Sequence, residues 1–381
     1  MNLLQDRLVG LSLEDVLNKI EAPGHAISRE ARPLLDAYLA SMEATEEDLG
    51  QLAPLFLRWL DISGTMDPKP PRKAVVICCA DHGVAAEGVS AYPQETTLEM
   101  VRNYTVRQGG AANAFAAYAG AHLLIDDMGI AADTGDLPGL FLTRIASGTR
   151  NMAEGPAMTR EQATDSIKVG LLIAKSLAEQ GFDWFLPGEM GIANTTASAA
   201  ITAVCCQESP EDVTGRGTNI SDARLQKKVE VVRRALQVNR PDPDDAIDIL
   251  AKVGGFEFGC MAGLILGAAL HRKLVILDGA NCGAAALLAQ KLAPASIACT
   301  MASHFGSEKS HHFMLESLGL QPILHLDLRL GEAIGSSITS NILEGMIASW
   351  QALRREESGT DSLASDHCEM REEEVKLTDK T

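Results

Sequence analysis

One nine-residue segment carries the residue types best suited to binding a phosphate-bearing ligand. Residues 188–196 read Gly-Glu-Met-Gly-Ile-Ala-Asn-Thr-Thr. Glycines let a backbone approach a ligand, and Asn194-Thr195-Thr196 can begin the Ala-rich helix that follows. Free amides at a helix N-terminus bind anions. Simple capping of that helix by an Asn or Thr side chain explains the same residues equally well.

Two glutamates stand where a carboxylate could do chemistry. Glu189 lies beside the predicted anion site, where its charge is repulsive. That position favours a functional role, such as binding ribose hydroxyls or stabilising a developing cation. Glu332 follows Gly331 and precedes a Gly-Ser-Ser segment. It could be a general base if its pKa is suitable. The alternative is an acid placed at a helix N-terminus because the helix dipole favours it there.

Weaker signals surround these residues. The glycine loop 214–219 precedes a helix for which Ser221 is the expected N-cap. It lacks the full dinucleotide fingerprint. Lys228, two turns into that helix, is either a ligand contact or a solvated lysine. His311-His312 with Glu308 lacks the spacing that puts two histidines on one helix face, so no metal site is predicted.

A second chemistry stays open at the pair Asp126-Asp127. With Asp133-Thr134-Gly135 beyond it, this pair faintly resembles a phosphoribosyl-diphosphate motif, although the spacing is too long. The motif Gly-x-x-x-x-Gly-Lys-Ser/Thr does not occur, which counts against an ordinary P-loop ATPase.

Charge and composition limit the class of protein. The 381 residues carry 33 Lys plus Arg against 51 Asp plus Glu, a formal net charge of -18. A general nucleic-acid binder needs a basic surface, so this charge argues strongly against that class. The 46% of apolar residues and 33 glycines exclude global disorder.

The sequence also predicts a cytoplasmic location. The N-terminus shows no basic region followed by an apolar core, so no secretory signal is expected. The longest apolar stretch, 261–270, is about half of what spans a bilayer. The 8 cysteines include the adjacent pairs Cys78-Cys79 and Cys205-Cys206, but no Cys-x-x-Cys. We interpret these cysteines as buried thiols of a protein in the reducing cytosol.

The elements that must position these residues follow a clear pattern. The first 60 residues read as helices, including one that starts at Thr45 with a capping signature. After a Pro-rich connector, short apolar runs alternate with longer helical segments, which predicts a parallel sheet covered on both faces. The predicted strands are 74–80, 122–126, 182–186, 273–277, 296–301 and 322–326. The predicted helices in this part include 94–118, 160–180, 221–238, 261–271 and 333–353.

Polar, glycine-punctuated loops follow five of the predicted strands. In open parallel sheets ligands bind beyond the carboxyl ends of the strands, so these loops should meet at one edge. They begin at Asp81, Gly188, Asp278, Ser303 and Arg329.

Taken together, the motifs resemble one family, nicotinate-nucleotide–dimethylbenzimidazole phosphoribosyltransferase, which acts in assembly of the cobalamin nucleotide loop. The set runs in family order from about residue 70 to 350 and is specific as a set. The matching stretches are Ala80-Asp-His-Gly-Val, Glu87-Gly-Val-Ser, Arg107-Gln-Gly-Gly-Ala-Ala, Gly155-Pro-Ala-Met-Thr-Arg, Gly188-Glu-Met-Gly-Ile-Ala-Asn-Thr-Thr, 222–234, Lys252-Val-Gly-Gly-Phe-Glu, Leu277-Asp-Gly, Ser303-His-Phe and Arg329-Leu-Gly-Glu.

The resemblance implies a reaction and its residues. A benzimidazole nitrogen attacks C1′ of nicotinate mononucleotide, nicotinate leaves, and inversion gives an α-ribazole phosphate, with no metal or redox cofactor. Glu332 is implied as the base, and Glu189 as the group that stabilises the ribose or its developing charge. The implied ribose-phosphate contacts are Gly191, Asn194, Thr195 and Lys228. The azole is expected among Tyr92, Met100 and Leu330, because a flat apolar base fits apolar walls.

The resemblance also implies an α/β fold, a Rossmann-like parallel sheet covered by helices. A small helical domain is built from both termini. We therefore expect an N-terminal helical segment at 1–65, completed by the C-terminal helix, and an α/β domain at 70–353. The tail 356–381, with nine acids and three bases, is expected to be disordered. A homodimer with the active site near its interface is also implied.

Two departures from the family pattern bear on which base is accepted. Ala280 stands where a bulkier apolar residue is common, and Gly306 where a serine is common. Two other functions remain as alternatives. A magnesium-dependent transferase using phosphoribosyl diphosphate would need Asp126 or Asp127. A non-catalytic nucleotide- or corrinoid-binding module would not need Glu332.

Overall fold

A parallel sheet of seven strands forms the centre of the described chain, in the order β3-β2-β1-β4-β5-β6-β7. The computed structural model describes residue 8 and residues 10–357. The strands are β1 (Lys73–Ala80), β2 (His122–Gly129), β3 (Leu140–Leu142), β4 (Trp184–Met190), β5 (Leu274–Leu277), β6 (Thr300–His304) and β7 (Pro322–Leu324). Every neighbouring pair is parallel, as the alternation of strands and helices predicts.

Helices cover both faces of this sheet. They are α1 (Leu13–Leu17), α2 (Ala26–Ser41), α3 (Glu46–Leu49), α4 (Leu52–Ser63), α5 (Thr96–Arg102), α6 (Ala111–Tyr118), α7 (Arg160–Glu179), α8 (Asn194–Cys206), α9 (Pro210–Val213), α10 (Asp222–Asn239), α11 (Ala246–Val253), α12 (Phe256–Leu270), α13 (Ala280–Leu292), α14 (Lys309–Leu318) and α15 (Ile334–Glu357). Short 3₁₀ turns lie at Gly83–Glu87 and Pro294–Cys299, and a π-helical turn at Asn103–Arg107. All eight residues of β1 are buried, as expected for a central strand packed on both sides.

The structure departs from the predicted elements at four places. The strand expected at 182–186 is β4, which runs on to Met190, so Gly188 and Glu189 lie at the end of this strand and not in a loop after it. The strand expected at 296–301 starts too early, because a 3₁₀ turn runs from Pro294 to Cys299 and β6 begins only at Thr300. The helix expected at 94–118 is interrupted by the π-helical turn and by Gln108, which has a φ of 52°. Strand β3, an edge strand of three residues, is too short for its apolar pattern to be recognised.

The N-terminal helices pack against both the long C-terminal helix and the sheet. The rings of Phe56 on α4 and Trp350 on α15 have centroids 5.4 Å apart. Trp59 meets Trp184 of β4 edge-on at the same distance, 5.4 Å. The predicted cap of α3 is present, since the carboxylate of Asp48 accepts hydrogen bonds from both the amide and the hydroxyl of Thr45. The division into a small and a large domain stays a prediction.

Two sequence predictions extend beyond the part of the chain that the structure describes. The acidic tail lies outside it from residue 358 onward, and so do residues 1–7 and 9 of the N-terminal segment. Over residue 8 and residues 10–357, no helix is both long and apolar enough to cross a membrane.

Candidate functional site

The strand order reverses between β1 and β4, and the candidate site lies at their carboxyl ends. The chain runs outward from β1 to β2 and β3 on one side, and from β4 to β7 on the other. Such a switch point leaves a crevice in which ligands bind. Cys78 of β1 pairs with Glu189 of β4, so Glu189 stands at the mouth of this crevice.

Glu189 is a buried carboxylate with a raised pKa. It is 8% exposed, and its Oε2 accepts a hydrogen bond from the side-chain amide of Asn194. Burial raises its pKa to about 7, and the neighbouring carboxylates of Asp278 and Glu332 act in the same direction. The amide of Asn281 opposes this shift. Near neutral pH, Glu189 therefore exchanges between a neutral acid and an anion that can meet positive charge.

Glu332 is held on a turn of unusual backbone conformation. Gly331, Glu332 and Ala333 have φ values of 71°, 59° and 60°, three consecutive left-handed residues. Non-glycine residues adopt this region at a cost, and such strain is concentrated at functional sites. The turn ends where α15 begins, so the two roles considered for Glu332, general base and helix-terminal acid, share one position.

The carboxylate of Glu332 is buried and engaged on one side. It is 5% exposed, and its Oε2 accepts a hydrogen bond of 3.3 Å from the amide of Ala112 at the start of α6. Burial raises its pKa, and the carboxylate of Asp278 adds to this, while Tyr104 and Ala112 lower it. A carboxyl whose pKa is raised toward neutrality is a stronger base, which suits proton abstraction.

A glycine in β4 lets this turn approach the sheet. A Cβ on Gly188 would lie 2.9 Å from the amide nitrogen of Ala333 and 3.1 Å from the carbonyl carbon of Glu332. Any larger residue at this position would push the turn away from the strand. The glycines of residues 188–196 therefore matter for the position of Glu332 as well as for a ligand.

Asp278 adds a further buried carboxylate to the site, and His304 lies beside it. Asp278 follows β5 and accepts a hydrogen bond of 3.1 Å from the amide of Ser336 on α15. Burial raises its pKa, and His304 opposes this from 3.9 Å. The sequence pattern puts both residues in loops at this edge but indicates no role for either.

Lys228 and Thr195 form the cationic side. Lys228 is 1% exposed, and its Nζ donates to Thr195 Oγ1 at 2.8 Å and to the Gly215 carbonyl at 3.1 Å. Burial lowers its pKa to about 8, which the carboxylate of Glu308 partly opposes. A buried ammonium at the start of α8 is suited to binding a phosphate group. The solvated alternative for Lys228 is wrong.

The segment 188–196 does not cap α8 with its own Asn or Thr. The N-cap position is Ala193, with a φ of 75° and no side-chain cap. Asn194 is instead bonded to Glu189, and Thr195 to Lys228. Gly191 packs so closely on β1 that a Cβ would lie 2.1 Å from the Ala80 carbonyl oxygen. These residues are brought together, but Asn194 contacts the carboxylate instead of standing free for a ligand.

The expected azole wall is open. Tyr92 and Leu330 are 56% and 67% exposed, and Met100 is partly buried on α5. Leu330 precedes the strained turn directly, so it lies within two residues of Glu332. The amide of Ala91, next to Tyr92, donates to Thr218 of the loop before α10. Their role in binding the azole stays a prediction.

A buried pair beneath the crevice has no role predicted from the sequence. His82, after β1, lies 2.6 Å from Glu257 at the start of α12, and both are at most 1% exposed. Burial lowers the pKa of His82, but the charge and hydrogen bond of Glu257, together with the charges of Asp81 and Glu189, outweigh it, so the net shift is upward. His82 and Glu257 are 175 positions apart in the sequence, and the fold brings them together. Both lie in motifs named above.

The residues of the weaker hypotheses have other partners. Asp127 is held by two guanidinium nitrogens of Arg144, at 2.5 and 3.0 Å, and Asp126 accepts from Thr143 at 2.7 Å. The Nδ1 atom of His311 accepts from the amide of Gly306 at 2.8 Å. Across the described residues, no group of three or more His, Cys, Asp or Glu is arranged to hold a metal ion.

The two departures have local consequences. A Cβ at Gly306 would lie 2.7 Å from Nδ1 of His311, so a serine there would need the histidine to move. Ala280 is buried at the first position of α13, where its carbonyl accepts a hydrogen bond from Ser198.

The known proteins to which this chain is similar belong to one family. A family model described as phosphoribosyltransferase matches residues 25–359. The nicotinate-nucleotide–dimethylbenzimidazole phosphoribosyltransferase of Syntrophotalea carbinolica is 47% identical over 87% of this chain and 94% of its own. That of Geobacter metallireducens is 47% identical over 78% of this chain and 84% of its own.

Solved structures show the same fold. The crystal structure of CobT from Thermus thermophilus is 38% identical, with a TM-score of 0.81 over 87% of this chain and 98% of that one. These findings confirm the expected α/β fold and the transferase class. The chain belongs to the nicotinate-nucleotide–dimethylbenzimidazole phosphoribosyltransferase family.

Proposed function

We propose that the protein transfers the phosphoribosyl group of nicotinate mononucleotide to 5,6-dimethylbenzimidazole or a related base. The products are nicotinate and an α-ribazole 5′-phosphate, used in the nucleotide loop of cobalamin. One observation carries the proposal within this family: a buried carboxylate, Glu332, is held on a strained turn at the switch-point edge, with a raised pKa. Such a carboxylate can accept the proton that the azole N–H must lose.

The reaction requires the protein to remove one proton from the azole. One nitrogen of the azole uses its lone pair to form a bond to C1′. The bond from C1′ to nicotinate breaks, and its electron pair neutralises the pyridinium ring. The other azole nitrogen then loses its proton to Glu332. A positioned base of this kind contributes on the order of 10² to 10⁴ in rate. The leaving group is already activated, so it needs little protonation.

Positive charge develops at C1′ as nicotinate departs, and Glu189 stabilises that charge or the ribose hydroxyls. The ionised carboxylate is favoured at the moment when positive charge appears, because opposite charge lowers the pKa of a carboxyl. The pKa of about 7 means that a modest electrostatic change ionises Glu189.

The phosphate is bound by Lys228 with Thr195 and amides at the start of α8. A protein of net charge -18 repels an anionic substrate at long range, so local donors are required. Gly217 supports this assignment, since a Cβ there would lie 2.6 Å from Thr195 Oγ1 and 3.3 Å from Lys228 Nζ. The glycine loop before α10 thus lies directly on the proposed phosphate site.

The homodimer and the cytoplasmic location are part of the same proposal. A second subunit would close the exposed azole wall at Tyr92 and Leu330, which are open in one chain. No nucleic-acid or membrane partner is proposed, and no metal or redox cofactor is needed for the steps above. Sedimentation equilibrium checks the dimer.

The test is turnover with the two substrates in the presence of EDTA. Nicotinate and a ribazole phosphate should appear together, in equal amounts. Glu332→Gln, a near-isosteric loss of the base, should lower turnover about 10²-fold or more while nucleotide binding persists. Full turnover by this variant removes Glu332 from the mechanism. Nucleotide binding without product from a panel of azoles would indicate a binding module instead. In a separate assay with magnesium and without EDTA, turnover only with phosphoribosyl diphosphate would favour the alternative transferase.

A further inference from the structure

A glutamate that the proposed mechanism does not use is bonded to the glycine loop at the proposed phosphate site. Glu308 follows β6 and is the N-cap residue of α14, but its side chain does not cap that helix. Its Oε1 instead accepts a hydrogen bond of 2.7 Å from the amide of Gly217. The two residues are 91 positions apart in the sequence, so this contact joins two separate loops at the edge of the sheet.

Two glycines let the loop 214–219 lie close to this carboxylate and to the phosphate site. A Cβ at Gly215 would lie 2.7 Å from Cδ of Glu308, and closer still to its Oε2. Gly217 has a φ of 52°, and its α-carbon faces Thr195 and Lys228, as the short distances from a Cβ there to both side chains show. The loop therefore contacts Glu308 and the proposed phosphate ligands within three residues.

The same loop fixes the position of Lys228. The carbonyl of Gly215 accepts a hydrogen bond of 3.1 Å from Nζ of Lys228, and Thr195 Oγ1 accepts one of 2.8 Å. Both acceptors are neutral groups, so the positive charge of the ammonium is left for a phosphate. Because Gly215 packs against Glu308 and Gly217 is bonded to it, a shift of this carboxylate would shift the loop that holds Lys228.

The other hydrogen bonds of the loop lie nearer its C-terminal end. The hydroxyl of Thr218 accepts from the amide of Ala91 at 3.0 Å, and the guanidinium of Arg216 donates to the carbonyl of Ile220 at 2.7 Å. Neither bond involves Gly215 or the amide of Gly217. The contact with Glu308 is thus the one that ties the middle of the loop to the body of the protein.

The charge of Glu308 does not by itself suit this position. A carboxylate one residue away from the groups proposed to bind a phosphate repels that phosphate. Its oxygen, however, is a strong acceptor for a backbone N–H. One side chain therefore has two separable effects: its oxygen holds the loop, and its charge opposes the ligand.

We infer that Glu308 is a positioning residue of the phosphate site, whose carboxylate holds the loop 214–219 so that Lys228 and Thr195 are in place before the nucleotide binds. The inference rests on the proposed function for the identity of the ligand, a ribose phosphate. Glu308 touches neither substrate in this scheme. It acts by accepting a hydrogen bond and not by its charge, so a glutamine, which keeps the accepting oxygen, can replace it.

The first test compares two substitutions of Glu308 by steady-state kinetics. Glu308→Ala should raise the KM for nicotinate mononucleotide about tenfold, the effect of losing a hydrogen bond to a charged group. The kcat and the KM for the azole should change less than about threefold, because the bond between Thr218 and Ala91 remains. Glu308→Gln should leave the nucleotide KM no higher than in the parent protein. Glu316→Ala, which changes a glutamate of α14 whose side chain is 75% exposed, is the control and should have no effect.

A second variant disturbs the same contact from the loop. Gly215→Ala should raise the nucleotide KM as Glu308→Ala does, since its methyl group displaces the carboxylate. In the Glu308→Ala background that methyl group has space, and it should add less than about threefold. Equal increases in both backgrounds would show that Gly215 acts without Glu308, and would overturn the inference.

Amide hydrogen exchange of the protein without ligand makes the test independent of turnover. Exchange in the segment 214–219 should be faster in Glu308→Ala and close to the parent rate in Glu308→Gln. Unchanged exchange in a folded Glu308→Ala protein overturns the inference, as does a nucleotide KM raised equally by alanine and glutamine. Absence of turnover in the parent protein overturns the proposed function instead, and the exchange rates still decide whether Glu308 holds the loop.

Discussion

At the scale of single residues, the site combines a lysine that is less basic than usual with carboxylates that are more basic than usual. Burial is the first cause of each shift, lowering the pKa of Lys228 and raising those of Glu189 and Glu332. All three groups therefore titrate closer to neutral pH than they do in water. A substrate that brings a phosphate to Lys228 and a cation to Glu189 restores the charged forms of both.

The proposed phosphate role of Lys228 predicts a pH-dependent KM. Since its pKa is about 8, the ammonium is lost as pH rises through 8, and the KM for the nucleotide should rise between pH 7 and 9. Lys228→Met, which keeps the apolar stem, should raise this KM about tenfold or more at pH 7 and abolish its rise with pH. Steady-state kinetics with each substrate varied in turn measures both effects.

The neighbouring lysine serves as the control. Lys227 is exposed on the same helix, so Lys227→Ala should leave the nucleotide KM nearly unchanged. If Lys228→Met raised only the KM for the azole, the phosphate assignment would be wrong.

Which of these residues the sequence can reveal depends on how far apart their partners lie. Glu189, Asn194 and Thr195 share one short motif, so their proximity follows from local spacing. The contact of Ala112 with Glu332 spans 220 positions and depends on how the helices cover the sheet. This contact leaves no pattern in the sequence.

At the scale of elements, strands are recognised where burial is uniform and missed where it is not. Strand β1 is buried throughout, so its apolar run predicts it almost to the residue. Strand β3 has two exposed residues out of three. The run 296–301 is apolar because its 3₁₀ turn is buried, and burial alone does not distinguish a turn from a strand. A π-helical turn has no sequence signature of this kind.

The packing of the Glu332 turn on β4 predicts the effect of a methyl group. Gly188→Ala places a Cβ within 3.1 Å of the backbone of both Glu332 and Ala333. The turn must shift, and a displacement of about 1 Å at a catalytic group can lower the rate about 10²-fold. We expect kcat to fall by about 10-fold to 10²-fold. We also expect a loss of about 1–3 kcal/mol in the free energy of unfolding.

The control for this change is a glycine with space around it. A Cβ at Gly345, in the middle of α15, would meet nothing within 4 Å. Gly345→Ala should leave kcat unchanged and stabilise the helix by up to about 1 kcal/mol. Kinetics and thermal unfolding of both variants provide the comparison. Equal kcat values for the two would contradict the packing argument.

At the scale of the whole molecule, buried carboxyl groups make stability depend on pH. Asp126 is 1% exposed in β2, away from the proposed reaction, and burial raises its pKa from 3.8 to about 7. A carboxyl with a raised pKa binds its proton more tightly in the folded state than in the unfolded one. Its contribution to stability is therefore largest below pH 4 and is lost as pH rises to about 7.

This sign predicts that Asp126→Asn stabilises the protein at high pH and much less at low pH. The amide cannot ionise, and its oxygen can still accept the hydrogen bond of 2.7 Å from Thr143. At pH 8 the unfolding midpoint should rise, with a gain on the order of a few kcal/mol in the free energy of unfolding. At pH 5 this gain should be clearly smaller. Asp127→Asn, which breaks the pair with Arg144, should lower the midpoint at both pH values. An equal gain for Asp126→Asn at pH 5 and pH 8 would mean that Asp126 is not the group whose ionisation opposes folding.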